Sequence, residues 1–172
     1  MQVAELRIRI KKHADGSGAL TAVRPDGSVT WQRQKTTVSA FFALHDLTHY
    51  AVESVLGYSQ AFYELLASGW DISDFGKPWA RGPLPRQAGD AELIVGFLDT
   101  ERASGERMSA EEFNGKAKLY FETHKIPGDL NLTDEHLINI RKRRTELFEQ
   151  WAAIAPGGTL ELEFDPAQRV DG

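Results

Sequence analysis

Cysteine is absent from the 172 residues, which excludes disulfides, thiolate metal sites and cysteine nucleophiles and is compatible with a reducing compartment. Long apolar runs are missing as well: none approaches the ~20 residues that a membrane span needs. The first eight residues, MQVAELRI, lack the basic and apolar regions of a signal peptide. Positive charge is in deficit, with 20 Lys and Arg against 25 Asp and Glu and a net charge of −5, so there is no electrostatic case for nucleic acid. There is also no glycine-rich phosphate loop, no Gly-x-Ser-x-Gly elbow, no nucleotide-binding fingerprint and no internal repeat. These absences lead us to expect a cytoplasmic protein with no membrane or nucleic-acid partner and a small-molecule or peptide ligand as the open possibility; monomer and oligomer fit the sequence equally.

The length fits one domain, residues 1–172, able to bury a sizeable core without metal staples. Any metal would therefore be functional before structural. Leu6, Ile8 and Ile10 alternate with charged residues, the period-2 pattern of a strand with one buried face. Turns at 15–18 and 24–27 then divide residues 1–35 into a three-stranded meander. Residues 159–165 alternate in the same way, with an acidic outer face suited to pairing beside Arg7, Arg9 and Lys11. Between them, residues 38–154 read as about five helices: Val38 to Leu56, a Ser59 cap through Ala67, Ala88 to Ser104, Ser109 to His124, and a Thr133 cap to Ile154. Strands segregated from helices predict an α+β fold, an antiparallel sheet of about four strands packed against the helices. A loop over 71–89, rich in proline, glycine, aromatics and arginine, is too long to be an idle connection.

Chemistry concentrates in residues 41–53, FFALHDLTHYAVE. On a helix, His45, His49, Glu53 and Asp46 fall at about 0°, 40°, 80° and 100° around the axis, one polar stripe. Phe41, Val52 and Leu56 lie close to it, so the stripe borders the face that turns toward the core. Histidines four residues apart present both imidazoles on one side, the arrangement by which a helix supplies two ligands to zinc. Glu53 is about 12 Å along the axis from His45, too far for one ion to bind both. Two arrangements follow: His45 and His49 hold a metal with a third ligand from elsewhere, or His49 and Glu53 form a metal-free acid–base pair.

The segment Leu44-His45-Asp46-Leu47-Thr48-His49 resembles the active helix of the zincin metallopeptidases, His-Glu-x-x-His. That resemblance implies His45 and His49 as ligands of a divalent metal, zinc first. It also implies Asp46, one methylene shorter, in the place of the glutamate that activates water. Glu64, Asp71 and Asp74 are the candidates for the third ligand. The longer pattern His45-Asp46-Leu47-x-His49-x-x-Val52-Glu53, followed by Leu56-Gly57 and Ala67-Ser68-Gly69, is similar to a group of bacterial proteins without an assigned activity; over about thirty residues it implies a common fold.

Two readings result. In the first, the protein binds a divalent metal and is a candidate small metal-dependent hydrolase, with His45 and His49 as ligands and Asp46 or Glu53 as the catalytic carboxylate. Tyr50, Trp70 and Trp79 would wall a pocket, and Arg81 would clamp an anion. In the second, a non-catalytic binding or interaction protein, the stripe is a buried hydrogen-bond network. An open pocket above His45 and His49 separates them. The run Arg141 to Arg144 reads as a solvated helix face, and His124 and His136 as residues placed near helix ends for local reasons.

Overall fold

A computed structural model describes residues 5–33 and 39–165. Ten elements follow in order: β1 (Leu6–Lys12), β2 (Gly18–Val23), β3 (Val29–Arg33), α1 (Ser39–Leu56), α2 (Phe62–Ala67), a 3-10 turn (Ile72–Phe75), α3 (Arg86–Ser104), α4 (Ala110–Thr123), α5 (Asp134–Ala153) and β4 (Thr159–Phe164). Val38, the expected first residue of α1, and residues 34 and 35, the end of the expected meander region, lie outside the described residues, as do residues 1–4.

The sheet is antiparallel in the order β3-β2-β1-β4, so the last strand closes beside the first as the charge patterns predict. Ile8 faces Leu162 and Arg9 faces Glu161 across that pair. Arg9 Nε lies 3.0 Å from a Glu161 carboxylate oxygen, but both side chains are about half exposed or more, and such a pair contributes about 0–1 kcal/mol. Burial contributes more. Leu6, Ile8, Ile10 and Leu20 are almost wholly withdrawn from water, each stabilising by about 1.5–3 kcal/mol. The sheet is an α+β scaffold with helices on that apolar face. At Gly18 a Cβ would lie 3.0 Å from Ile10 Cγ2 and 3.1 Å from Ala43 Cβ, so only glycine lets α1 approach the sheet this closely.

α1 is the wall between two apolar cores. Ala43, Leu47, Tyr50 and Ala51 join the sheet core, whereas Val52 joins a second cluster built from α3, α4 and α5, with Ile94, Leu98, Phe113 and Ile140 at its centre. The helix ends at Gly57, whose φ of 64° is the left-handed conformation that glycine adopts without cost. No described helix is long and apolar enough to cross a membrane.

Three local expectations change. α2 begins at Phe62 after Ala61, without a side-chain cap; the Ser59 and Gln60 amides instead donate to the Gln87 side-chain oxygen. The loop is shorter than 71–89, because a 3-10 turn, boxed by Asp71 and Asp74, opens it and α3 starts at Arg86. The basic run on α5 is not wholly solvated: Arg141 reaches Glu101 at 2.6 Å and Arg144 at 3.3 Å, and the Glu101 side chain is 3% exposed. The capping boxes at Ser109/Glu112 and at Thr133 form, the latter with His136 as its reciprocal partner. His124 caps α4 and stacks on Tyr120.

Candidate metal centre

α1 and α3 lie side by side and antiparallel, so His45 meets Asp99 and His49 meets Glu92. The His45 Nδ1–H donates to Asp99 Oδ2 at 2.7 Å. The His49 Nδ1 bonds Glu53 Oε2 at 3.0 Å, and the second Glu53 oxygen accepts the Tyr63 amide at 2.9 Å. Each imidazole thus has its Nδ1 held by its own carboxylate, which fixes the ring and turns Nε2 outward. Both Nε2 atoms converge on Glu92, at 3.6 Å from Oε1 for His45 and 2.7 Å from Oε2 for His49.

His45, His49 and Glu92 offer ligand atoms that all lie within 4.8 Å of one another, and this group could hold a metal ion. Two imidazoles and one carboxylate form a donor set used by catalytic zinc, where bonds near 2.1 Å separate tetrahedral ligands by about 3.4 Å. Side-chain adjustment would have to close that difference.

Above the centre lies a cavity of about 1000 Å³. His45, Asp46, His49 and Glu92 are its ionisable face, Gln32 and Ser73 add neutral polar groups, and Trp31, Phe42, Phe62, Phe75, Phe97 and Tyr120 are its aromatic walls. The open pocket that the first reading needs is therefore present.

The electrostatics follow from crowding. Burial works against charge on both histidines, but the bonds to Asp99 and Glu92 raise His45 to about 9, and those to Glu53 and Glu92 raise His49 to about 10. Between the two histidines, Glu92 is held well below the usual carboxylate range by its bonds to both. Glu53 is pushed up by complete burial, against the opposing pull of His49 and the Tyr63 amide. Asp46 is pushed up to about 6 by burial, with His45 and His49 opposing.

The expected third ligands go elsewhere. Asp71 pairs with Arg24 at 3.0 Å, Asp74 accepts from the Asp71 amide and from Arg81, and Glu64 is outside the ligand group. Of the four expected pocket residues, none lines the cavity. Tyr50 points into the sheet core, donating to the Glu163 carbonyl at 2.5 Å. Trp70 packs on Phe75, Arg81 lies over Trp70, and Trp79 is exposed beside Lys77. Glu53, expected as a catalytic carboxylate, is sealed behind His49 at 0% exposure, whereas Asp46 faces the cavity.

Glu92 and Asp99 were not singled out in the sequence. Their signal is a spacing of seven on one helix, which puts both on the same face. Comparison with protein-family models, with curated proteins and with solved structures found no match.

Proposed function

We propose that this protein is a divalent-metal-dependent hydrolase of a small substrate, with zinc the first candidate ion and His45, His49 and Glu92 its ligands. The observation that carries the proposal is the convergence of two Nε2 atoms, each behind a carboxylate-anchored Nδ1, on one carboxylate at the edge of an open cavity. When bound, the ion would supply Lewis-acid polarisation and ease ionisation of water near neutral pH. Asp46 would take the water's proton on its carboxylate, since its raised pKa places it near working pH while it faces the cavity. Glu53 and Asp99 would act through the histidines they orient, which makes them positioning residues.

A specific observation favours the second reading: in the metal-free arrangement both histidines already have partners on both ring nitrogens. A network of this kind could serve only to fix α1 against α3.

Elemental analysis of the purified, untagged protein, before and after incubation with zinc, manganese and iron, separates the two. Near-stoichiometric metal in the native protein, lost in His49→Ala with the fold retained, supports the metal centre and justifies hydrolase screening. No metal under any loading condition overturns it and leaves the network.

A further inference from the structure

The walls of the cavity speak to what enters it. Six aromatic rings surround the space, joined by Leu84, Leu93 and Ile72. No lysine or arginine lines it among the described residues. Among the described side chains, Arg81 bonds Asp74 and the Gly69 carbonyl, Arg86 bonds Asp90 and the Pro127 carbonyl, and Arg102 lies over Phe41 and pairs with Asp99 behind His45. At the polar face, four carboxylates (Asp46, Glu53, Glu92 and Asp99) stand in or directly behind two histidines. A phosphate or carboxylate group entering here would lose its water, face Asp46 and Glu92, and find no lysine or arginine among the described lining residues.

The floor is shaped by missing side chains. Gly89 and Gly96 both line the cavity, and a Cβ built at either meets nothing within 4 Å. They lie seven residues apart in α3, about 10 Å along the axis, with Glu92 between them. Glycine inside a helix costs about 1 kcal/mol relative to alanine, and here neither glycine is required by φ or by a close neighbour. What both positions share is the open trough that any side chain would narrow. Because Glu92 sits between the two, the trough extends to both sides of the polar centre.

We infer that the cavity takes an uncharged, largely apolar molecule with an internal neutral polar group, such as an amide, flanked by hydrocarbon on both sides. The inference rests on the metal-centred reading for the role of the polar group, whereas the apolar, anion-rejecting trough can be tested without metal.

The test uses the full chain, zinc-free and zinc-loaded, with the neutral dye Nile red as reporter and N-butylpentanamide, nonanoate and nonylamine as competitors. Dye bound by the native protein should be displaced by the amide, with nonanoate at least about ten-fold weaker in the zinc-free protein, a difference of about 1.4 kcal/mol. Gly89→Leu and Gly96→Leu should each weaken dye binding by about ten-fold, while retaining helix content and zinc stoichiometry. Equal or tighter binding of nonanoate, tighter binding of nonylamine than of the amide, or unchanged dye binding in both leucine variants would overturn the inference. Zinc binding without dye binding sinks this inference alone; dye binding without zinc sinks only the metal-centred reading.

Discussion

Replacing Glu53 by glutamine probes the centre without touching the cavity. The glutamate accepts two hydrogen bonds, from the Tyr63 amide at 2.9 Å and from the His49 ring at 3.0 Å, at 0% exposure. Glutamine has the same shape but only one accepting atom. The Tyr63 N–H is a fixed donor, so the carboxamide oxygen must turn to it and the NH₂ group must face His49 Nδ1. That nitrogen can then only accept, which moves the ring proton to Nε2, the atom needed for metal. Glu53→Gln should therefore lower zinc affinity by about 10- to 100-fold, or about 1.4–2.7 kcal/mol, without altering any ligand. Its effect on folding should be about 1.5–3 kcal/mol, the worth of one hydrogen bond to a charged group. Glu53→Ala, by contrast, leaves the Tyr63 amide and His49 unpaired in the core and should cost about 2–5 kcal/mol. Zinc affinity is read by competition with a chromophoric chelator, and stability by urea denaturation of the chelator-treated protein. Native zinc affinity in Glu53→Gln, with the fold intact, would refute the tautomer argument.

The remaining perturbations address charge, the trough floor and the far end of α3. In the metal-free protein His45 at about 9 and His49 at about 10 sit above their ordinary 6.5, so their stabilisation is complete below about pH 6.5 and is lost as pH rises through 9 to 10. The Tm of the metal-free protein should accordingly fall across that window, and apparent zinc affinity should rise with pH because binding displaces these protons; a pH-independent affinity between 7 and 9 would contradict both. Gly96→Ala should raise stability by about 0.5–1 kcal/mol in urea while narrowing the trough; a destabilised variant would show that the space is not open. Glu101→Ala should destabilise by about 3–5 kcal/mol, since it strands Arg141 and Arg144 beside a vacated buried site, and a loss below about 1 kcal/mol would mean that solvent already reaches them.

The sheet was legible because each strand buries one face only: period-2 alternation at Leu6, Ile8 and Ile10 and again at Leu160, Leu162 and Phe164 survives into the structure as the buried face or its margin. The histidine stripe was legible for the parallel reason, that a helix superposes residues four apart. Its partners were not. Glu92 is an exposed glutamate on a helix whose apolar stripe of Ala91, Ile94, Val95 and Leu98 accounts for its packing, and nothing local marks it as facing α1. Expectation went instead to Glu64, Asp71 and Asp74, carboxylates nearer in the chain, whereas the carboxylate that faces both Nε2 atoms comes from the helix packed antiparallel to α1. The inward turn of Arg141 and Arg144 escaped for the same reason, since it depends on Glu101 being brought beneath α5 by tertiary packing.

The architecture explains why such a centre can exist without holding the fold together. α1 belongs to both apolar cores, and each closes with its own residues: the sheet core through Leu47, Tyr63 and Trp151, the helical core through Phe113, Leu137 and Ile140. The stripe between the two faces of α1 carries the histidines, and α3 meets it with Glu92, Asp99 and two glycines. A structural network would gain from filling the space above it, because an empty cavity forfeits packing. A polar centre left beside about 1000 Å³ of open volume, on helices anchored independently of it, is instead the arrangement that lets a ligand come and go while the scaffold stays in place. The same separation is why His49→Ala and Glu92→Gln should empty the centre and leave both cores folded.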